Sequence, residues 1–127
     1  METNKDLTLN EYQSKAMTTC MPTCENASYM LLNLVGEVGE FTSKIAKAIR
    51  KGKAVIDYNA LVTECGGESM TKQEIADLKA EAGDILWQLA GLCKVMGWSL
   101  QEVGDENLDK LSSRKQRGVI SGDGDNR

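Results

Sequence analysis

The sequence predicts an all-α fold, a helical bundle of about four main helices, on three observations. Apolar residues recur at intervals of three and four through two long segments, the period of one helix face. The single proline, Pro22, lies outside both segments. No segment alternates apolar and polar residues long enough to read as a strand.

The first helix runs from about Leu9 to Thr18 with Tyr12 and Ala16 on one side, and Met21 to Glu25 form a loop around the proline. The second runs from Ala27 to Arg50 and stops at Gly52, with a stripe of Leu31, Leu34, Val38, Phe41, Ile45 and Ile49. Residues 53–70 break the pattern with Gly66-Gly67 and a short apolar stretch, and read as an insertion forming an extra helical turn or a flap. The third helix opens on Thr71 and Glu74, whose spacing lets each side chain cap the other's backbone N–H. It extends to about Met96 before Gly97, along a stripe of Leu78, Ala82, Ile85, Leu89, Leu92 and Met96. Ser99 and Glu102 open the fourth helix in the same way, and it ends near Arg117. Residues 118–127 are a polar, Gly-rich tail, expected to be mobile unless a ligand or neighbouring subunit orders it.

With 127 residues, 41% hydrophobic and 27% charged, the chain reads as one domain spanning 1–127 with the balance of an ordinary soluble protein. No apolar run approaches the roughly 20 residues that span a bilayer, and the first residues lack the layout of a signal peptide. A cytoplasmic protein with no membrane partner is the expectation. The net charge of −4, with cations scattered among acids, argues against a polynucleotide partner. Cys20, Cys24, Cys65 and Cys93 form no CxxC pair and there is no histidine, so ordinary zinc spacings, Ser-His or Cys-His nucleophiles and Glu-x-x-His di-iron pairs are all excluded. Carboxylates, lysine and bound metal are left to do any chemistry.

On a heptad frame Glu37 and Glu40 fall at positions g and c of the second helix, and Glu81 and Asp84 fall at the same positions of the third. Each pair lies one turn apart on the same flank of its stripe, and antiparallel packing brings g positions opposite one another. Four converging carboxylates repel by about 1 kcal/mol per contact in water near 4 Å, and by several times that when partly buried. A cation is needed among them, and oxygen donors without nitrogen or sulfur suit Mg²⁺ or Mn²⁺, which leave positions for water and phosphate. Gly36, Gly39 and Gly83 flank the acids. Mid-helix glycine costs about 1 kcal/mol relative to alanine, which suggests that something needs close approach there.

Glu37-x-x-Glu40 followed by Glu81-x-x-Asp84 resembles the paired acidic motif of the MazG-like, all-α nucleoside triphosphate pyrophosphohydrolases, a superfamily that includes dimeric dUTPases and dCTP pyrophosphatases. Leu9-Asn-Glu-Tyr-Gln13, Glu81-Ala-Gly-Asp-Ile-Leu-Trp87, Asn107-x-x-Lys110-Leu and the segment from Arg117 to Arg127 are similar to small phage and bacterial members. The separation of the two acidic pairs is longer than this family usually carries, which marks residues 53–70 as the insertion.

The resemblance implies Mg²⁺-dependent hydrolysis of an NTP or dNTP to the monophosphate and pyrophosphate, in control of the nucleotide pool. It implies that Glu37, Glu40, Glu81 and Asp84 hold metal, and Glu40 is the choice for the base that accepts a proton from the attacking water. Lys110 and Asn107 fit the family's Asn-x-x-Lys element, and Arg114 and Arg117, further along the helix, join them as candidate phosphate contacts. Gln13 is a candidate for reading a base edge, Trp87 or Tyr12 for stacking on it, and Arg127 for closing over the phosphates. The resemblance also implies a homo-oligomer, a tetramer before a dimer. Two alternatives stay open: a non-catalytic helical interaction module, and the same chemistry on a nucleoside diphosphate or an alarmone.

Overall fold

The structure is a computed structural model that describes residues 6–125. Arg127 lies outside the described residues. Four α-helices form among the described residues: α1 (Leu9–Met17), α2 (Ala27–Arg50), α3 (Lys72–Val95) and α4 (Leu100–Gln116). A single 3₁₀ turn, Pro22–Cys24, joins the first two.

Side chains start these helices, and glycines stop the last three. Thr8 Oγ1 accepts from the Glu11 amide at 3.0 Å, and Asn26 Oδ1 from the Tyr29 amide at 2.8 Å. Thr71 with Glu74 and Ser99 with Glu102 form complete capping boxes, as their spacing predicts. After α2, Gly52 turns left-handed (φ 73°), with Gly52 N donating to Ile49 O and Lys53 N to Ala48 O. After α3, Gly97 (φ 77°) repeats the device, with Trp98 N donating to Cys93 O at 2.8 Å. This is the pairing that consumes a helix's last free carbonyls, and it requires the left-handed residue that glycine supplies most cheaply.

α2 and α3 run antiparallel and make the most extensive helix contact of the fold. Asn33 meets Gln88, Lys44 meets Glu81, and Lys53, just past α2, meets Glu74 at the start of α3. The helices come close where α3 has Gly91: a Cβ there would lie 2.5 Å from the thioether of Met30, which is fully buried. α1 packs on α3 and α4 around Met17, Ala90, Cys93 and Leu100, with Tyr12, Trp87 and Val103 at the margin.

The buried stripe differs from the expected one. Leu31 (53% exposed), Val38 and Ile49 of α2, Leu89 of α3 and Met96 at its C-cap are exposed, whereas Met30, Ala48, Gln88, Ala90, Gly91 and Cys93 are buried. The heptad frame marks the most apolar face, but the face that meets the antiparallel partner is rotated by about one residue and includes Asn33, Glu37 and Lys44. Leu31, Leu32, Val35 and Val38 therefore form an apolar face on α2 with no cover from the described residues, the kind of patch that marks an interface.

Residues 53–70 overturn the expectation that strands are absent. They form two antiparallel hairpins, β1 (Val55–Asp57) with β2 (Ala60–Val62), and β3 (Glu64–Cys65) with β4 (Glu68–Ser69). Val55 pairs with Val62 and Ile56 with Leu61; Glu64 pairs with Ser69. Strands of two and three residues are too short to display an alternation, which is why the period test missed them. Hairpins this small are marginal alone. These are held by a satellite core of Ala48, Ala54 and Met70, with Leu61 against it, and by the Lys53–Glu74 ion pair at 2.9 Å. The tail is likewise fastened as far as Asp125, which accepts from Arg114 Nη2 at 3.0 Å. Among the described residues no helix is long and apolar enough to cross a membrane.

Candidate metal centre

Antiparallel packing sets Glu37 of α2 against Glu81 and Asp84 of α3, and one carboxylate oxygen from each lies within 4.8 Å of the other two. Glu37 and Glu81 are half-buried and Asp84 is exposed. Burial pushes the Glu37 carboxyl above its usual range, and the charges of Asp84, Glu81 and Glu40 add to the rise, partly offset by a hydrogen bond from Asn33. The cluster therefore carries net negative charge where water is partly excluded. An oxygen-only donor set with excess charge fits a hard divalent cation, since soft metals take nitrogen or sulfur.

The surroundings are polar on one side and cationic on the other. Asn33 Nδ2 donates to Gln88 Oε1 at 2.8 Å and lies 3.5 Å from Glu37 Oε1. Gln88 is buried, and its amide nitrogen reaches the Met30 sulfur at 3.1 Å. Tyr29 OH is a further acceptor for Asn33 at 3.3 Å. On the opposite side Lys44 Nζ stands 3.6 Å from Glu81 Oε1. Tyr12 feels the same cluster: burial, and then the charge of Asp84, push its hydroxyl pKa up. The sequence reading passed over Asn33, Lys44 and Gln88. Each is one turn from an acid on its own helix, Asn33 before Glu37, Lys44 after Glu40 and Gln88 after Asp84, and that spacing was the available signal.

Other candidates lie outside the close trio. Glu40 is exposed and outside the close trio, yet near enough for its charge to raise Glu37. Asn107 and Lys110 line an open groove of about 590 Å³ with Trp98, Glu102, Val103 and Glu106. Lys110 and the buried Arg114 both hold Asp125, at 3.3 and 3.0 Å, and Arg114 Nη2 also donates to the Asp125 carbonyl. Arg117 donates from Nε to Ser113 Oγ at 3.1 Å.

Two candidate substrate contacts, Gln13 and Trp87, make hydrogen bonds within the fold. Gln13 Nε2 donates to the carbonyls of Ala90 and Trp98, and Gln13 Oε1 accepts from the Leu100 amide at 2.9 Å. Its amide thus ties α1 to the turn between α3 and α4, with no hydrogen free for a base edge. Trp87 packs beside the core under α1, and its ring N–H donates to Ala16 O and Thr19 Oγ1. An aromatic at helical spacing has become core, because α1 covers the face of α3 on which it sits.

Among the described residues, the glycines beside the acids serve no close helix contact. A Cβ at Gly39 or Gly83 would meet nothing within 4 Å, and one at Gly36 only Asn33 Oδ1 at 3.4 Å. The close approach expected there occurs at Gly91 instead.

A bundle whose central antiparallel helices converge three carboxylates is an all-α protein with an acidic cluster whose oxygen donors suit a hard divalent cation. Residues 25–119 match the family model described as the MazG nucleotide pyrophosphohydrolase domain. The chain belongs to the MazG nucleotide pyrophosphohydrolase family. It is 41% identical over 103 residues to a protein named Gene 37 protein, from Mycobacterium phage L5, a match covering 81% of this chain and 78% of that one. No solved structure gives a significant match.

Proposed function

We propose that the protein hydrolyses a nucleoside or deoxynucleoside triphosphate to the monophosphate and pyrophosphate, using Mg²⁺ or Mn²⁺ held by Glu37, Glu81 and Asp84 with Glu40 beside them. The observation that carries this reading is the convergence of those three carboxylates on one half-buried point, in a chain of the pyrophosphohydrolase family. A divalent ion there would supply charge neutralisation for the phosphates and a more acidic water. Water attacks the α-phosphorus, the bond from that phosphorus to the bridging oxygen breaks, and pyrophosphate leaves.

The chain's own groups divide the work. Glu40, exposed beside the trio, is free to take the water's proton. Asn33 and Gln88 hold Glu37 in place from behind. Asn107, Lys110 and Arg114 on α4, Arg117 at its C-cap and Arg127 beyond it are the proposed substrate contacts, and Asp125 is then displaced from Lys110 and Arg114 by substrate. Gln13 and Trp87 support the site structurally. The uncovered apolar face of α2 supports a homo-oligomer, a tetramer or a dimer. The likeness to a phage protein supports action in a host cytoplasm, and residues 53–70 are an elaboration of the family's helical core.

The test is to incubate the protein with each common NTP and dNTP, with and without Mg²⁺, and assay pyrophosphate. Metal-dependent release that is lost in Glu37→Gln and Asp84→Asn is the expected result. No turnover of any triphosphate by the folded wild-type protein sinks the reading and leaves a helical interaction module.

A further inference from the structure

The flank of α2 that carries the acids continues past them. Glu37, Glu40, Lys44, Lys47 and Lys51 follow one another at spacings of three, four, three and four, so all five lie along one face of the helix. Carboxylates occupy the first part of this face and lysines the remainder. Lys44 joins the two parts, with Nζ 3.6 Å from Glu81 Oε1. It also opens a cavity of about 170 Å³ lined by Lys44, Lys47, Lys51, Met70, Glu74 and Asp77.

Of the two acids in that cavity, Glu74 is neutralised by an ion pair and Asp77 keeps its charge. Glu74 is paired with Lys53 at 2.9 Å and closes the capping box of α3. Asp77 accepts from the Gln73 side chain at 2.8 Å. Among the described residues, Lys47 and Lys51 enter no ion pair. The cavity thus sets Lys47 and Lys51 against the one unpaired carboxylate of Asp77, a net positive charge beside the acidic cluster, an arrangement suited to an extended polyanion that starts at one and ends at the other.

We infer that this lysine cavity receives the terminal phosphates of the substrate, the part that leaves as pyrophosphate, and this rests on the reading of the acidic site as a triphosphate pyrophosphohydrolase centre. The α-phosphorus must lie at the carboxylates, where water attacks. Lys44 and Lys47 then follow at about 6 and 10 Å along the helix axis from Glu40, and side chains lean towards the helix N-terminus, which tilts the ammonium groups back towards the acids. Charge grows on the leaving pyrophosphate as the bond breaks, and cations fixed at that end stabilise it more than they stabilise the bound substrate. The same cavity disfavours a monophosphate, which has nothing to place there.

A competing role for these lysines is to complement the C-terminal dipole of α2, whose last turn contains Lys47 and Arg50. That role is indifferent to phosphate. The experiment titrates inorganic pyrophosphate, and separately a deoxynucleoside monophosphate, into the full chain with Mg²⁺ by calorimetry. It compares wild type, Lys47→Gln/Lys51→Gln and the charge-retaining Lys47→Arg/Lys51→Arg, with melting curves to show that each is folded. The expected result is pyrophosphate binding weakened about tenfold or more by glutamine, largely retained with arginine, and monophosphate binding changed less than about twofold. Equal loss of both ligands, unchanged pyrophosphate affinity, or no pyrophosphate binding by the wild type overturns the inference. Triphosphate turnover with unchanged pyrophosphate affinity removes only the cavity's role. A wild-type protein that binds pyrophosphate through these lysines but turns over no triphosphate removes the hydrolase reading and leaves a site for free pyrophosphate.

Discussion

Asn33 of α2 and Gln88 of α3 share a hydrogen bond of 2.8 Å one turn away from the carboxylates of Glu37 and Asp84. Gln88 is buried, so losing its partner leaves an amide oxygen without a donor where water cannot replace it. Asn33→Leu should cost about 1–3 kcal/mol, read as a lower denaturant midpoint with unchanged slope. Gln88→Leu with Asn33→Leu should cost less than the two singles added, since both polar groups are then removed together.

Metal should stabilise the fold through the acids. A cation that binds only the folded chain adds about 2.7 kcal/mol at a hundredfold excess over its Kd, so Mg²⁺ should raise the melting temperature in a saturable way. Glu37→Gln should melt higher than wild type without metal, because the carboxylate that burial and three like charges disfavour is gone. It should also lose the Mg²⁺ response.

The Lys53–Glu74 pair sets an acid limit for the hairpin junction. Lys53 donates a hydrogen bond that, with the Thr71 amide, holds the Glu74 carboxyl down at about 2, against an ordinary 4.5. The unfolded chain therefore binds more protons between those values, and the pair's contribution is present above about 4.5 and lost as pH falls towards about 2. The difference in melting temperature between wild type and Lys53→Met should be largest near neutrality and shrink across that window.

Two glycines of α3 should respond in opposite directions. Gly91→Val drives a side chain into buried Met30 and should cost about 1–3 kcal/mol by overpacking. Gly83→Ala meets open space and should gain up to about 1 kcal/mol from helix propensity. If Gly83→Ala stabilises the chain while lowering turnover, the open space beside Asp84 belongs to substrate or to a second copy.

Trp87→Phe separates core from binding. It removes the ring N–H shared by Ala16 O and Thr19 Oγ1 and should lower stability by about 1 kcal/mol with KM unchanged. A rise in KM at constant stability would restore Trp87 as a base-stacking residue.

The long helices were readable because their signals are local. Thr71-x-x-Glu74 and Ser99-x-x-Glu102 cap whichever helix follows them, and Gly52 and Gly97 end the preceding ones, within a few residues and with no help from the rest of the fold. The acidic pairs at matching heptad positions were readable for the same reason, since a spacing of three places two side chains on one flank of any helix. The hairpins of residues 53–70 were not, because strands of two or three residues show no period and depend on Met70, Ala48 and Ala54 meeting from separate segments.

Facing was decided only by tertiary packing. A heptad frame ranks faces by apolar content, but α2 turned Asn33, Glu37 and Lys44 towards α3 and left Leu31, Leu32 and Val35 uncovered. Gln13 and Trp87 had the chemistry to read a base, and the position of α1 across α3 committed their polar atoms to the backbone instead. By itself the sequence determined where helices begin and end and which carboxylates share a flank, because both follow from spacing along one chain segment. Which of those carboxylates come within reach of one another, and which amides remain free for a ligand, depended on contacts between segments distant in the chain.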